Sequence, residues 1–187
     1  ASTATRFEKF KFDGLSRLIR AEDDDSVVTR EYDPMSNITK EGIDFKDGRG
    51  TRITEARYDG VGNKVYCKYP GGRVIRTEFD ELNRRGVIMD DDGAIATYHY
   101  VGPRRTQKRE YNRNGTVALF EYDGQGVPGT ANPFDDYGVK KPILLSHRRA
   151  ADSTIINQWE FRWDRLFNKS KQEDTRLGSE SPSFRYY

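Results

Sequence analysis

The chain has little of what most metal-binding and many catalytic centres are built from. Its 187 residues include one cysteine and two histidines. A single cysteine, Cys67, excludes an internal disulfide and a thiolate metal cluster. Zinc sites use three or four nitrogen or sulfur ligands. The sequence therefore argues against a disulfide scaffold and a zinc centre, and we expect neither a metal nor a cofactor.

Long hydrophobic runs and an excess of one charge are also missing. No apolar run approaches the roughly 18–20 residues of a membrane-spanning helix, so we expect no membrane span. The chain has 32 Lys and Arg against 30 Asp and Glu, a formal net charge of +2, with both signs interspersed. Nucleic-acid-binding proteins more often carry a basic stripe. We therefore expect no nucleic-acid partner.

Aromatic residues are plentiful although hydrophobic residues as a whole are scarce. Hydrophobic residues make up 34% of the chain and charged residues 33%, yet there are 11 Tyr, 10 Phe and 2 Trp. Disordered chains are poor in aromatic residues. The composition therefore predicts an ordered protein with a large surface for its core.

An aromatic residue followed by aspartate recurs along the chain at a nearly constant interval. Most intervals between successive aromatics are 20–23 residues, with 26 between Tyr32 and Tyr58 and 41, close to two periods, between Tyr122 and Trp163. A period of this size is typical of repeat architectures. The phased pairs are therefore predicted to be copies of one structural unit. The repeat-defining residues are Phe12, Asp13, Tyr32, Asp33, Tyr58, Asp59, Phe79, Asp80, Tyr100, Tyr122, Asp123, Trp163 and Asp164.

Each repeat is predicted to contain two strands and two turns. Trp159, Phe161 and Trp163 alternate with polar residues, as on the two faces of a half-buried strand. The aspartate follows the strand end, where its carboxylate can accept backbone N–H bonds from the turn. Asp80 is not followed by glycines and is expected to form the weakest of these turns. No segment shows a helical period with caps.

These patterns predict an all-β fold, an antiparallel repeat sheet built from β-hairpin units of about 21 residues. We expect a single repeat region over residues 1–187, with about seven units. An inserted loop near residues 127–142 interrupts the period. Residues 127–138 are punctuated by proline and glycine and lack alternation, which is typical of a protruding loop.

Aromatic side chains are the candidate binding residues. Trp159, Trp163, Phe134 and Tyr137 could stack on sugar rings, the last two from the inserted loop. The alternative is that the repeat aromatics form the packed face of the sheet, in contact across neighbouring strands. No spacing singles out a carboxylate pair or a nucleophile, so we predict no catalytic residue and no enzyme.

The turn motifs resemble a known family. The stretches 12–18 (FDGLSRL), 58–63 (YDGVGN) and 122–126 (YDGQG) look like the YD repeat of the rearrangement-hotspot (RHS) proteins, whose usual unit reads approximately Y-D-x-x-G-R/N-L. The resemblance implies a long antiparallel sheet wound strand after strand into a hollow shell. In bacterial toxin systems such a shell encloses a C-terminal toxic domain, and related repeats occur in insecticidal toxin complexes and animal teneurins. The family's autoproteolytic core motif has no copy in this sequence.

The resemblance implies a non-catalytic structural module, secreted or at the cell surface, that encloses or displays a toxin or other effector domain. Its implied partners are other parts of the same repeat protein or the enclosed effector. The alternative function is binding of carbohydrate or of a cell-surface partner, through an aromatic face or the 127–138 loop. Unpaired edge strands also leave room for a dimer through sheet edges.

Overall fold

The described residues form β-strands joined by turns, and no helix. The structure, a computed structural model, describes residues 6–122, 141–164, 166, 168–174 and 184–186. The strands in this part of the chain are β1 (Glu8–Phe12), β2 (Leu18–Asp23), β3 (Val27–Tyr32), β4 (Ile38–Asp44), β5 (Arg52–Tyr58), β6 (Lys64–Lys68), β7 (Val74–Phe79), β8 (Arg85–Asp90), β9 (Gly93–Val101), β10 (Arg105–Tyr111), β11 (Thr116–Tyr122), β12 (Pro142–Arg149), β13 (Ile155–Trp163), β14 (Lys169–Asp174) and β15 (Phe184–Tyr186).

Within each of the two units described next, strands pair with their neighbours in sequence, and every described register is antiparallel. The chain divides into two compact units, residues 1–93 and 94–187. The first contains β1 to β8 and the second β9 to β15, the boundary falling after the first residue of β9. The predicted all-β antiparallel repeat sheet is confirmed, whereas the single region over 1–187 stays a prediction.

A β-bulge recurs at one place in the repeat. Arg57 pairs with Tyr66 but Tyr58 pairs with Lys64, so Val65 has no partner of its own in the register. A bulge increases the local twist and re-aims the side chain beside it. In each repeat it therefore changes the direction of the aromatic at the strand end. The register shifts in this way beside Phe12, Tyr32, Tyr58, Phe79, Tyr100, Tyr122 and Trp163.

The core is thin and consists largely of small residues that lie between longer residues of the neighbouring strands. In the described part of the chain the buried hydrophobic residues are Ala56, Ala96, Ala118 and Tyr122. Ala118 of β11 lies in register with Arg109 of β10 and His147 of β12. In such a row, long side chains on neighbouring strands close over a short one, so burial depends on strand register.

Gly42 marks a close approach within the first unit. It is buried in β4, directly opposite Thr29 of β3. A Cβ at residue 42 would lie 2.9 Å from Thr29 Oγ1 and 3.1 Å from Thr51 Cγ2. A side chain at residue 42 would therefore require the Thr29 and Thr51 side chains to shift.

Candidate functional site

The aspartate of the repeat closes the turn that follows it. Asp59 shows the arrangement: its Oδ1 accepts the backbone N–H groups of Val61 at 3.0 Å and Asn63 at 2.8 Å, and its Oδ2 accepts the Asn63 Nδ2 at 2.9 Å. The backbone completes the turn, because the Asp59 N–H donates to Asn63 O and the Gly62 N–H donates to Asp59 O. The backbone hydrogen bond from the aspartate N–H to the carbonyl oxygen of the fourth residue after it recurs at Asp13, Asp33, Asp80 and Asp164.

The third residue after the aspartate adopts the left-handed backbone conformation that the turn requires. Its φ is positive at Ser16 (59°), Ser36 (68°), Gly62 (89°) and Asn83 (57°). Glycine and asparagine adopt this left-handed region most readily. The turn therefore needs a permissive residue at the third position after the aspartate, but not specifically glycine.

Asp80 does not form a weak turn, contrary to the sequence expectation. Its Oδ1 accepts the N–H groups of Leu82 and Arg84, and its Oδ2 accepts Arg84 Nε at 2.7 Å. The expectation was wrong because Asn83 supplies the positive φ without a glycine. Arg84 also forms an ion pair with Asp80. The turns that have Asn instead of Arg at the fourth position lack this ion pair.

The fourth residue after each described repeat aspartate helps to close the turn. It is the Arg or Asn position of the YD motif, and its side chain donates to the aspartate Oδ2. Arg17 also reaches the next turn, where its guanidinium donates to Asp33 O at 2.9 Å. Asn63 similarly donates to Asn83 Oδ1 at 3.1 Å. These side chains link successive turns at one end of the strands in the first unit.

Hydrogen bonds from this fourth residue are the largest cause that holds the pKa of each turn aspartate below its usual value. Backbone donation is the leading cause at Asp13 and Asp164, and side-chain donation at Asp33, Asp59 and Asp80. A general acid near neutral pH needs the opposite, a raised carboxyl pKa. The turn aspartates are therefore suited to structure rather than to proton transfer.

Four of the repeat aromatics join their repeat to the preceding one by a hydrogen bond. Tyr32 Oη donates to Leu18 O at 2.7 Å, and Tyr58 Oη donates to Ile38 O at 3.0 Å. Each acceptor is the fifth residue after the preceding aspartate, at the start of the outgoing strand. In the second unit, Tyr122 Oη donates to Thr106 O and Trp163 Nε1 donates to Pro142 O.

Cations lie over these rings. The Arg17 guanidinium is 4.8 Å from the Tyr32 ring centroid, Arg105 is 5.3 Å from that of Tyr122, and Lys141 Nζ is 5.2 Å from that of Trp163. Basic side chains thus cover these three rings. The packed aromatic face that the sequence suggested stays a prediction.

Known structures share this arrangement of strands. No family model and no curated protein matches the sequence. The crystal structure of TcdB2-TccC3 matches with a TM-score of 0.72 and 11% identity, over 92% of this chain and 9% of that chain. TcdB2-TccC3 without its hypervariable C-terminal region matches with a TM-score of 0.71 and 12% identity, over 92% and 9% of the two chains. TcdB2-TccC3-TEV gives 0.70 and 12%, over 90% and 9%.

These structures contain RHS/YD-repeat shells. This chain has the fold of the RHS/YD repeat. The resemblance inferred from the turn motifs is thereby confirmed at the level of the fold. The chain spans about 9% of the length of the chains it matches.

The candidate binding residues of the YD-repeat sheet are already in contact with their neighbours where the structure describes them. Trp159 and Trp163 lie in β13 and are half-buried. The Trp159 ring meets His147 edge-on, with centroids 6.0 Å apart, and Trp163 is held by Pro142 and Lys141. Phe134, Tyr137, the 127–138 loop and Asp123 lie outside the described residues.

A shallow depression of about 520 Å³ lies over β11 to β14 in the second unit. Its lining includes three glutamates and three basic residues. Lys171 Nζ forms an ion pair with Glu173 Oε2 at 2.8 Å, and Arg148 Nε donates to the buried Ser146 Oγ at 2.8 Å. The described lining holds no histidine or cysteine, so it offers no imidazole- or thiolate-based catalytic pair. The charged lining residues are Glu121, Glu160, Glu173, Arg148, Arg162 and Lys171.

The described residues contain no group of three or more His, Cys, Asp or Glu side chains placed to hold a metal ion. They also contain no helix long and apolar enough to span a membrane.

Proposed function

We propose that this chain is a non-catalytic structural module of an RHS/YD-repeat protein, forming part of a β-shell that encloses or displays a toxin or other effector domain. The observation that carries the proposal is the hydrogen bond that joins each of four repeats to the preceding one. Four aromatic side chains each donate a hydrogen bond to a backbone carbonyl of the preceding outgoing strand. They are those of Tyr32, Tyr58, Tyr122 and Trp163. Side chains used in this way hold strands side by side and are not free to act on a substrate.

The mechanism is containment. Each unit adds two strands, about 9.4–9.8 Å of sheet, and the turn aspartates close one end of each strand pair. Winding such a sheet into a shell would exclude proteases from an enclosed segment and protect strand edges that otherwise aggregate. The effector domain and other parts of the same repeat protein are the proposed partners, in a secreted or cell-surface protein. One matched structure is TcdB2-TccC3 without its hypervariable C-terminal region, which supports a repeat protein that otherwise carries a variable C-terminal segment.

The alternative, a carbohydrate or cell-surface binding module, has less support. The indoles of Trp159 and Trp163 are half-buried and in contact with protein groups. A sugar-stacking face needs rings that are free on one side.

The full reading frame provides the test. We expect it to encode further repeats of about 21 residues together with a distinct domain of non-repeat sequence. A frame that contains repeats but no distinct domain on either side would contradict the proposal. A glycan array adds a second comparison: specific binding that is lost in Trp159→Ala would favour the carbohydrate alternative instead.

A further inference from the structure

The hydrogen bond from a repeat aromatic lies at a fixed place relative to the strand register. Between β2 and β3 the register ends, on the side of the aspartate turns, at the pair of Arg20 and Thr29. Tyr32 lies three residues beyond Thr29, and the carbonyl that it reaches belongs to Leu18, two residues before Arg20. The tyrosine side chain thus bridges the two strands just past the end of their backbone ladder.

The same offsets hold at the other three bonds. The corresponding last register pairs are Lys40 with Glu55, Lys108 with Leu119, and Leu144 with Glu160. Counting three residues forward on one strand and two residues back on the other leads to the donor and the acceptor in each case. These bonds are Tyr58 to Ile38 O, Tyr122 to Thr106 O and Trp163 to Pro142 O. The register therefore fixes which carbonyl an aromatic at this position faces.

Phe79 occupies this position in β7 but has no hydroxyl group to donate. The register of β6 and β7 ends at Tyr66 with Arg76, so the offsets place Phe79 opposite the carbonyl of Lys64. The Phe79 ring also has no cation over it among the described residues, whereas Lys64 Nζ lies 5.7 Å from the centroid of the Tyr58 ring. The β6–β7 junction therefore lacks both contacts that the Tyr32 and Tyr58 rings make.

The backbone ladder between β6 and β7 does not compensate for the missing contacts. It has three register pairs, as many as between β2 and β3 and one fewer than between β4 and β5. Past the end of the ladder, Asn63 Nδ2 donates to Asn83 Oδ1 at 3.1 Å and joins the two neighbouring turns. This bond is exposed, and a neutral hydrogen bond in contact with water adds little net stability.

We propose that the β6–β7 junction is a seam, at which the first unit opens before the junctions that Tyr32 and Tyr58 close. Proteins open locally where few contacts have to be broken. At the seam the ladder ends without an aromatic hydrogen bond beyond it, so the strand ends separate at a lower free-energy cost.

The seam leaves the turns on either side of it intact. The Asp59 carboxylate closes the turn before β6, and the Asp80 carboxylate closes the turn after β7, each through hydrogen bonds within its own turn. Opening between β6 and β7 breaks neither set of bonds. The sheet of the first unit thus has one defined place to part, and a single added hydroxyl group should close it.

Amide hydrogen exchange of the 187-residue chain, followed by mass spectrometry, tests the proposal. In the wild type, the amides of β6 and β7 should be less protected than those of β4 and β5. Phe79→Tyr should slow exchange in β6 and β7 about three- to tenfold, the effect of one net hydrogen bond. Phe12→Tyr is the matched control, because Phe12 holds the same repeat position in β1, the first described strand, and is 59% exposed. It should leave exchange in β6 and β7 unchanged.

The reverse substitution covers the case in which Phe79→Tyr fails to fold. Tyr58→Phe removes the hydroxyl group between β4 and β5, so exchange there should become faster by a similar factor. Either of two results would overturn the proposal: wild-type β6 and β7 amides that are protected as well as those of β4 and β5, or a folded Phe79→Tyr protein with unchanged exchange at the seam. Unchanged exchange between β4 and β5 in Tyr58→Phe would also overturn it, because the hydroxyl group would then not control opening.

Discussion

The guanidinium of Arg17 lies 4.8 Å from the centroid of the Tyr32 ring while its Nε donates to Asp13 at 2.7 Å. One side chain thus closes its own turn and covers the aromatic of the next repeat. Since Tyr32 in turn donates to Leu18 O, successive repeats are joined in both directions. Neighbouring repeats should therefore be energetically coupled.

The coupling between Arg17 and Tyr32 can be measured in a double-mutant cycle of Arg17→Gln and Tyr32→Leu. We expect an interaction free energy of about 0.5–1 kcal/mol, the range of exposed cation–π contacts. Urea denaturation of the four proteins supplies the free energies of unfolding. A cycle of Arg57→Gln and Tyr32→Leu is the control, because Arg57 lies over Tyr66 instead. Additivity in the first cycle would contradict the account.

Tyr58→Phe removes the hydrogen bond to Ile38 O and keeps the ring. We expect the free energy of unfolding to fall by about 0.5–1.5 kcal/mol, the net value of one intramolecular hydrogen bond. Tyr69→Phe is the matched control, since Tyr69 is 47% exposed and outside the phased positions, and it should change little. Equal effects of the two substitutions would show that the Tyr58 hydroxyl does not fasten the units.

Gly42→Ala should destabilise the first unit by about 1–3 kcal/mol, the usual cost of overpacking. The added methyl group would lie 2.9 Å from Thr29 Oγ1. Gly86→Ala is the control because its Cβ would meet only Glu78 O, at 3.6 Å. There the loss of glycine entropy in the unfolded chain should make the change neutral or stabilising. A harmless Gly42→Ala would mean that the strands have room to separate.

The turn aspartates predict a loss of stability in acid. Hydrogen bonds lower the folded-state pKa of Asp33 and Asp59 below the unfolded value. Their contribution is therefore complete above that unfolded value, near 3.9, and is lost as the pH falls through the lower folded value. The melting temperature should hold between about pH 7 and 5 and fall below about pH 4.

Asp59→Asn should reduce this acid dependence, because the charged acceptor is gone at every pH. Asp25→Asn is the control: the Asp25 side chain is exposed and its backbone N–H, not its carboxylate, takes part in the described turn bond. It should leave the pH profile of the melting temperature unchanged. Identical slopes for wild type and Asp59→Asn would contradict the role of this carboxylate.

The sequence predicted the parts of the fold that are local. The strand alternation and the aspartate that accepts turn N–H groups each involve only a few neighbouring residues. The period can be counted directly along the sequence. The bulge beside Tyr58 was not predictable, because it depends on which residue of β6 pairs with which residue of β5. Asp80 was misjudged because the stretch after it lacks glycine, whereas Asn83 supplies the positive φ.

The contacts between repeats were hidden for a different reason. Leu18 and Tyr32 are 14 residues apart, and nothing in the spacing says that a tyrosine hydroxyl reaches a backbone carbonyl of the neighbouring strand. The R/N position of the YD motif already indicated Arg or Asn at the fourth residue after the repeat aspartate, but the hydrogen bond from that side chain to the aspartate needed the structure.

Limited proteolysis of the full-length protein tests the central claim, that this repeat region forms part of an enclosing wall. The wild type and an Asp59→Ala, Asp80→Ala variant should be digested side by side, and cleavage within the non-repeat domain followed by mass spectrometry. The account predicts that this domain resists protease in the wild type and is cut once the two turns are weakened. Rapid cleavage of the domain in the wild type, with the repeats still intact, would contradict it.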